Sequence, residues 1–349
     1  MPRLTINLAK IEHNTRLIAE ILKPHRVRLV GVTKGCIGHD LVAEAMIAGG
    51  AGALADSRSG NIRNLRRHFP QAEIEFLRSP VTSDEACYDA DIYFVSSHAQ
   101  VLQLLKMNPR ATLRLCLVIE TGDGREGVPL ELASQEAARI AGIKEASLVG
   151  MATNAACARA GAPLGEALSA FNGAAAKIAW RLGRGSGDLL PVMSVGGSGL
   201  LRLLTGPEEP SDKHPGWGMS LFAPITELRC GETILLGRIP SGSASDLYLQ
   251  GARRDAFTLD GPVLEVFEKN GITQALVGFG IQDTGRGRLI PRQPGITALS
   301  ATSDYFAVSC ASPELKAHPL RVGETISFIP TYHTLLAAMT SPYVSKSFV

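Results

Sequence analysis

The stretch that decides the fold is VRLVGVTKGCIGHDLVAEAMIAGGAGALA, residues 27–55. It begins with an apolar, β-branched run at Val27–Thr33, continues with a helical pattern at Asp40–Ala48 and returns to a short apolar run at Ala51–Ala55. This order is typical of a parallel sheet, because each strand needs a crossover to reach the next. We therefore predict a β–α–β unit here, and Lys34 follows its first strand.

The same alternation continues along most of the chain. Strands are predicted at Val27–Thr33, Ala51–Ala55, Ile74–Leu77, Asp91–Val95, Thr112–Ile119, Ser147–Ala152, Leu189–Ser194 and Ile225–Leu228. Helical patterns between them occur at Asp40–Ala48, Ser57–His68, Ala99–Lys106, Leu132–Ala141 and Gly165–Leu182. Eight strands that alternate with helices predict an α/β fold, a (β/α)8 TIM barrel, with an open doubly wound sheet as the alternative.

After Gly237 the pattern changes to short alternating runs. These runs are Pro262–Phe267, Gln274–Phe279, Tyr305–Cys310 and Thr325–Ile329. They predict a smaller, mostly β C-terminal domain that follows the barrel. We expect the barrel at residues 8–236 and the β domain at 237–349, with residues 1–7 adding a strand to it and a linker at Pro240–Ser245.

Composition excludes several classes of protein. The apolar fraction is 45%, the charged fraction 19% and the net charge +2, so we expect a folded protein without affinity for nucleic acid or a membrane surface. Apolar runs are strand-sized and the first residues lack the apolar segment of a secretion signal, which predicts a cytoplasmic location. The six cysteines form no C-x-x-C pair, so no metal site is predicted.

The ends of the predicted strands carry the candidate functional residues. Lys34 would lie at the rim of the barrel where active sites form, and a desolvated lysine amine there is a nucleophile towards carbonyl groups. A solvated loop lysine is the simpler interpretation from position alone. Met193–Gly199 ends in a glycine-rich turn, which is either an ordinary tight turn or a phosphate-binding turn.

Two further candidates follow later strands. Gly122–Gly127 matches the dinucleotide-binding pattern G-x-G-x-x-G, but three charged residues lie within it and Pro129 places the helix start beyond it. Arg125 in this loop has the planar donor geometry that suits a carboxylate. Arg229 ends the eighth strand, which neighbours the first strand if the barrel closes, although spacing alone favours a surface ion pair for this arginine.

Taken together, these residues resemble the fold-type III pyridoxal-phosphate enzymes of the alanine racemase group, and most closely their ornithine racemase-like branch. The resemblance covers nearly the whole chain. The motifs that carry it are Leu4–Leu8 with Asn14, Gly31–Lys34, Leu54–Arg58, Gly122-Asp123, Arg125–Gly127, Leu228-Arg229, Gly231-Glu232 and Thr340–Val344.

The resemblance implies roles for individual residues. Lys34 would bind pyridoxal 5'-phosphate covalently and act as the base on one face of the substrate Cα. Asn154 lies where the alanine racemases have a histidine against the pyridine ring. The phosphate ligands that it implies are groups of Gly197, Ser198, Gly199, Gly231, Glu232 and Tyr332.

Two arginines are implied in the chemistry. Arg229 would face the pyridine nitrogen, to which an arginine does not readily supply a proton. The related decarboxylases have an acidic residue there, so Arg229 favours racemisation over decarboxylation. Arg125 would bind the substrate carboxylate or support the ring oxygen of the cofactor.

The chain departs from the alanine racemase pattern at two positions. Val118 replaces the family's modified lysine, so Glu120 or Asp123 is expected to orient Arg125 instead. Phe279 replaces the tyrosine that acts as the base on the opposite face, and a hydrocarbon ring cannot transfer a proton.

A racemase with two bases needs a proton-transferring group on each face of Cα. We expect Asp283, Ser303 or Asp304 of the β domain to supply the second one across a homodimer interface, with His333 next. Asp304 has an alternative role, since its carboxylate could pair with the distal ammonium of ornithine or lysine.

The sequence thus predicts a pyridoxal-phosphate amino-acid racemase, an isomerase that acts on a basic amino acid such as ornithine or lysine, or on alanine. Three alternatives stay open at this point. They are a decarboxylase of the same fold, a non-catalytic pyridoxal-phosphate carrier, and a nicotinamide-dependent oxidoreductase built on Gly122–Gly127.

Overall fold

The computed structural model describes residues 1–78, 82, 89–107, 112–154, 164–185, 187–205, 217–240, 247–311 and 320–349, without the side chains of 217–219. The chain forms two compact units. One comprises residues 14–34 and 38–252, and the other residues 1–13, 35–37 and 253–349. Most of the predicted linker Pro240–Ser245 lies outside the described residues, and the domain boundary predicted at residues 236/237 stays a prediction.

A closed barrel of eight parallel strands forms the core of the first unit. Its strands are β2 (Arg28–Val32), β3 (Ala53–Asp56), β4 (Ile74–Phe76), β5 (Ile92–Val95), β6 (Leu113–Val118), β7 (Ala146–Asn154), β8 (Val192–Gly196) and β9 (Glu227–Cys230). Strand β9 pairs in parallel with β2 and closes the barrel. The predicted (β/α)8 barrel is confirmed, and the open doubly wound alternative is wrong.

Helices connect the barrel strands. Those of the first unit are Asp40–Ala48, Ser59–His68, His98–Met107, Ala133–Ala141, Leu164–Arg181, Arg202–Thr205, Trp217–Phe222 and Glu232–Leu236. The longest, Leu164–Arg181, shows why they form, because it buries one stripe of side chains at spacings of three and four. That stripe is Ala167, Leu168, Phe171, Ala174, Ala175, Ile178 and Ala179.

Side chains rather than solvent fill much of the barrel interior. Two buried apolar clusters line it, comprising Val30, Val32, Ala53 and Ala55 on one side, and Ile92, Phe94, Cys116, Val118, Ala152 and Val192 on the other. Val118 therefore packs as a core residue. The interior also holds charged side chains, among them Glu75, Glu227 and Arg229.

The second unit is built on an antiparallel sheet, as predicted for a mostly β domain. Its strands are β1 (Arg3–Ile6), β12 (Phe257–Lys269), β13 (Ile272–Val277), β14 (Leu289–Pro291), β15 (Ile296–Ala301), β16 (Phe306–Cys310), β17 (Thr325–Pro330) and β18 (Ser345–Phe348). The pair β10 (Arg238–Ile239) and β11 (Leu247–Tyr248) belongs to the first unit. Strand β1 lies between β12 and β18, antiparallel to the first and parallel to the second.

Two of the described helices that the sequence did not predict are nine residues or longer. Leu8–Leu22 follows β1, and Tyr332–Thr340 lies within the region where only strands were expected. The second of these buries Thr334, Leu335, Ala338 and Met339 at helical spacing. Within the described residues, no helix is long and apolar enough to cross a membrane.

Candidate active site

Lys34 lies at the carboxyl end of β2 and starts a single helical turn, Lys34–Cys36. The Lys34 side chain is exposed to solvent in the single chain, whereas the neighbouring Thr33 is fully buried. The Thr33 hydroxyl donates to the Asp56 Oδ2 atom over 2.7 Å, and the Thr33 amide donates to the carbonyl of Ala55 over 2.9 Å. These bonds join the ends of β2 and β3, so the backbone that carries Lys34 is fixed.

Asp56 is the polar anchor of this region. It is fully buried, and its Oδ1 atom accepts the amides of Ser57 at 2.7 Å and Arg58 at 3.1 Å and the Asn61 side chain at 3.0 Å. Burial raises the pKa of Asp56, and these donors oppose that rise. The carboxylate thus holds the turn after β3 rather than facing a reactant.

Arg229 ends β9 inside the barrel and is 5% exposed. Its Nη1 atom donates to the Ser194 hydroxyl over 2.6 Å, and its Nη2 atom donates to the Thr153 carbonyl over 2.8 Å and to Asn154 Oδ1 over 3.0 Å. The guanidinium lies 4.9 Å from the centre of the Phe94 ring. The surface ion pair considered for this arginine is therefore wrong, because the described structure buries it among neutral acceptors.

Glu126 is a member of this network that the sequence did not reveal. Its Oε1 atom accepts the Asn154 side-chain amide over 2.8 Å, and its Oε2 atom lies 3.7 Å from Arg125 Nε. Asn154 therefore bridges Arg229 on one side and Glu126 on the other. Pairing of β6 with β7 brings these positions together, because Glu126 follows β6 and Asn154 ends β7. A third charge beside Arg125 in a rim loop was a visible signal.

The loop Gly122–Gly127 does not have the geometry of a dinucleotide site. The amides of Gly122, Gly124 and Arg125 all donate to the Glu120 carboxylate, so they are not available to a pyrophosphate. No helix begins at the motif, since the next one starts at Ala133. A dinucleotide needs both free loop amides and a helix N-terminus, and the oxidoreductase alternative therefore loses its support.

Arg125 is oriented by an acidic neighbour, as the sequence predicted. Its Nε atom donates to Asp123, whose side chain is 4% exposed, while Glu120 holds the backbone of the same loop. The remaining guanidinium edge stays partly exposed. Such an edge suits the planar recognition of a carboxylate.

Glycines after β8 and β9 allow close approach of the backbone. A Cβ atom on Gly196 would lie 2.2 Å from Asn154 Oδ1 and 2.5 Å from Arg229 Nη2, so only glycine fits. Gly197 has φ +108°, which side chains rarely adopt. Ser198 and Gly199 follow in a buried helical turn, Ser198–Leu201, whose first amides have no acceptor within the turn.

The Ser198 hydroxyl connects this turn with the one after β9. It lies 3.3 Å from the Cys230 thiol and accepts the Thr233 amide over 3.3 Å. Gly231 precedes the helix Glu232–Leu236, and the Glu232 side chain accepts Arg238 over 2.6 Å. The predicted groups of Ser198, Gly231 and Glu232 thus lie on two adjoining turns.

The remaining predicted residues belong to the second unit. Asp283 is 9% exposed and accepts the Gly280 amide over 2.9 Å, where it caps the helix Ile281–Thr284. Ser303 and Asp304 are exposed, and Asp304 accepts the Gln282 side chain over 3.4 Å. Tyr332 is half-buried and begins its helix beside the exposed His333.

Phe279 lies in the aromatic core of the second unit. It is 1% exposed and stacks on Phe306 at 5.5 Å between ring centroids, with Phe328 edge-on at 5.4 Å. Packing therefore explains this residue, and it offers no proton-transferring atom.

Comparisons with known proteins agree with this geometry. Residues 6–203, more than half of the chain, match the alanine racemase N-terminal domain family. The chain is 28% identical to the lysine racemase of Thermotoga maritima, covering 99% of this chain and 98% of that protein. It is 26% identical to the ornithine racemase of Acetoanaerobium sticklandii, covering 99% of each.

Solved structures show the same fold. The alanine racemase of Corynebacterium glutamicum superposes with a TM-score of 0.71 at 20% identity, covering 100% of this chain and 99% of that one. The D-threonine aldolase of Filomicrobium marinum gives 0.74 at 16% identity, covering 97% and 88%. The chain belongs to the family of the alanine racemase N-terminal domain, and the activity named for its sequence relatives is amino-acid racemisation.

Proposed function

We propose that the protein racemises a basic amino acid, lysine or ornithine, with pyridoxal 5'-phosphate bound to Lys34. The observation that carries this proposal is the arrangement at the carboxyl end of the barrel. An exposed lysine and a buried arginine, Arg229, lie at the ends of neighbouring strands, and the hydrogen-bond acceptors of the arginine are all uncharged. The two racemases to which the chain is similar along its whole length support the substrate class. A homodimer, which the sequence resemblance implies, and a cytoplasmic location, which the hydrophobic pattern of the sequence predicts, belong to the same proposal.

The residues present fit the cofactor. Gly196 and Gly197 form a turn that a Cβ would fill or strain, and the turn Ser198–Leu201 presents amides that suit a phosphate. Lys34 supplies a primary amine for an aldehyde. We propose Gly197, Ser198, Gly199, Gly231, Glu232 and Tyr332 as the phosphate ligands.

When bound, the cofactor supplies a ring that withdraws electrons from the substrate Cα. Arg229 limits that withdrawal, because a guanidinium does not readily give up a proton to a ring nitrogen. Three of its N–H groups are held by Ser194, Thr153 and Asn154, so its orientation is fixed before any ligand binds. We propose that this arrangement favours proton transfer at Cα over loss of carbon dioxide.

Two groups move the proton. The Lys34 amine removes or returns the Cα proton on one face. On the other face we propose Asp304, because its carboxylate is exposed whereas that of Asp283 is buried and caps a helix. Ser303 and Asp283 remain the other candidates, and the group would act across the dimer interface.

Substrate binding follows from the charges at the rim. Arg125, held by Asp123, binds the substrate carboxylate. A basic side chain needs an acidic partner, and Asp304 of the second unit has the right chemistry for that role instead of proton transfer. The two roles of Asp304 are separable, because loss of the base lowers kcat for every substrate and loss of the partner raises KM for basic ones.

The experiment that tests the proposal starts from the purified protein incubated with the cofactor. Borohydride reduction followed by peptide mass spectrometry is expected to show the cofactor mass on Lys34, and the variant K34A should show none. Chiral chromatography after incubation with L-lysine, L-ornithine and L-alanine then ranks the substrates. No adduct on Lys34, or adduct without any D-amino acid, would refute the proposal.

A decarboxylase of basic amino acids is the second candidate on this fold. It predicts release of labelled carbon dioxide from carboxyl-labelled L-lysine. The Arg229 contacts argue against it, since no described carboxylate lies within ion-pairing distance of that guanidinium.

A further inference from the structure

A second charged cluster lies inside the barrel, near the amino ends of the strands and away from Lys34. Arg28 starts β2 and Glu227 starts β9. The Arg28 Nη2 atom donates to Glu73 over 2.8 Å, makes a still closer contact with Glu227 Oε1, and lies 3.7 Å from Glu75. Glu75 is fully buried and Glu227 is 2% exposed, so two carboxyl groups share the dry interior.

Three oxygen atoms in this cluster lack a donor. Both carboxyl oxygens of Glu75 and the Oε2 atom of Glu227 have no hydrogen-bond partner among the described residues. An ionised carboxylate without any donor is very costly in a protein interior, so such a group takes up a proton instead. A proton on Glu75 would supply a hydrogen-bond donor for one of these oxygens, because the protonated acid would donate to the Oε2 atom of Glu227.

The arrangement does not suit a metal ion. Oxygens of Glu73, Glu75 and Glu227 lie within 4.8 Å of one another, which is the spacing of a ligand set. However, the Arg28 guanidinium contacts all three and already supplies the positive charge between them. A divalent cation at this place would have to displace it.

Four charged groups surround Glu75 among the described residues, namely Glu73, Glu227, Arg28 and Arg229. Glu227 disfavours its ionisation, while Arg229 and Arg28 favour it. Burial outweighs both arginines and raises the pKa of Glu75 well above its usual value. The nearby Cys116 thiol is also fully buried, and burial raises its pKa, so it adds no charge.

We propose that Glu75 is a neutral acid in the folded protein and donates a hydrogen bond from its O–H group to the Glu227 carboxylate, which at the same time pairs with Arg28. The two buried carboxyl groups, Glu75 and Glu227, then carry one negative charge between them, on Glu227, instead of two. Glu75 is a positioning residue in this scheme, since it contacts neither substrate nor cofactor.

The consequence for catalysis rests on the proposed function. Glu227 and Arg229 are two residues apart on β9 and point to the same side of it. A second anion beneath Arg229 would partly neutralise the guanidinium that faces the ring nitrogen. The proton on Glu75 therefore preserves the positive charge that keeps that nitrogen unprotonated.

The first test measures folding and needs no cofactor. In the unfolded chain Glu75 ionises above its ordinary pKa, whereas in the folded protein it keeps its proton, so native stability falls with rising pH. Relative to the variant E75Q, the unfolding equilibrium constant of the unsubstituted protein should rise as the pH increases above the ordinary carboxyl pKa, by up to about tenfold per pH unit. A ratio that does not change with pH would overturn the proposal.

A matched control uses the third carboxylate of the cluster. The variant E73Q removes a hydrogen bond to Arg28 but keeps Glu75 and Glu227. Relative to E75Q, the unfolding equilibrium constant of E73Q should rise with pH as that of the unsubstituted protein does. If E73Q lost the rise, the titrating group would be the Arg28–Glu73 pair, and the assignment to Glu75 would be wrong.

The second test separates this inference from the proposed function. Glu75→Leu adds no charge but removes the donor that holds the second oxygen of Glu227. The Glu227 carboxylate can then turn towards Arg229 and offset its charge, so kcat for lysine racemisation should fall at least tenfold with less effect on KM. E75Q supplies an amide donor instead and should restore most of it. Equal losses in both variants would contradict the positioning role. Absence of racemisation in the native protein, with the pH effect on unfolding present, would refute the proposed function and leave the neutral acid standing.

Discussion

Replacement of Arg229 by leucine tests whether the buried guanidinium holds the top of the barrel together. The substitution leaves the acceptors on Ser194, Thr153 and Asn154 without their donor. A buried hydrogen bond to a charged group is worth about 1.5–3 kcal/mol, and the contact with the Phe94 ring adds about 1 kcal/mol. Because Ser194 and Asn154 side chains can reorient, we expect a total loss of about 4 kcal/mol.

The matched control is Arg184→Leu. Arg184 also makes three hydrogen bonds, to the Asp188 carbonyl, the Asp188 carboxylate and the Leu189 carbonyl, but its side chain is 32% exposed. Solvent replaces such bonds at the surface, so we expect a loss of about 1 kcal/mol or less.

Urea unfolding followed by intrinsic fluorescence measures both losses under the same conditions. We expect a difference of about 3 kcal/mol between the two variants, with Arg229→Leu the less stable. If R229L lost less than about 1 kcal/mol, or no more than the surface control, the network around Arg229 would not be a structural element and the reasoning would be refuted.

Four further substitutions test other contacts. G196A places a methyl group against two polar atoms, and thermal unfolding should show a loss of about 2 kcal/mol or more, while a neutral result would contradict the close approach. T33V removes the donor to Asp56 and should cost about 2 kcal/mol in urea unfolding; an unchanged midpoint would show that the bond contributes nothing. F279Y buries a hydroxyl in an aromatic core, so we expect a loss of about 1–3 kcal/mol and no gain in racemisation rate, and a faster enzyme would show that position 279 faces the substrate. D304N should reduce kcat for all amino acids if this residue is the second base, and raise KM for lysine but not alanine if it binds the distal ammonium; native kinetics would exclude both roles.

Much of the fold could be predicted from the sequence because the alternation of strand and helix is a local property. Asp40–Ala48 was predicted with its observed bounds, and each of the eight barrel strands overlaps its predicted run. The helix Tyr332–Thr340 was missed because the region before it reads as strands and the helix is short. The predicted role of Asp123 in orienting Arg125 is confirmed, since both lie within one loop.

The contacts that were missed join residues that are distant in the sequence. Glu126 meets Asn154 across 28 positions, and Glu75 meets Glu227 across the interior, which no local pattern reports. A signal existed for the second pair, because each glutamate interrupts an apolar run predicted as a barrel strand or its edge. In such a strand the alternating positions face the interior, so a charge there requires a partner.

Proton exchange at the substrate Cα tests most directly whether the protein racemises amino acids. Incubation of L-lysine with the cofactor-loaded protein in deuterium oxide, followed by NMR and chiral chromatography, should show loss of the Cα proton signal together with formation of D-lysine. K34A should show neither. Retention of the proton in enantiopure L-lysine and L-ornithine would contradict the proposed racemisation of basic amino acids. Loss of the carboxyl group as carbon dioxide would contradict it as well.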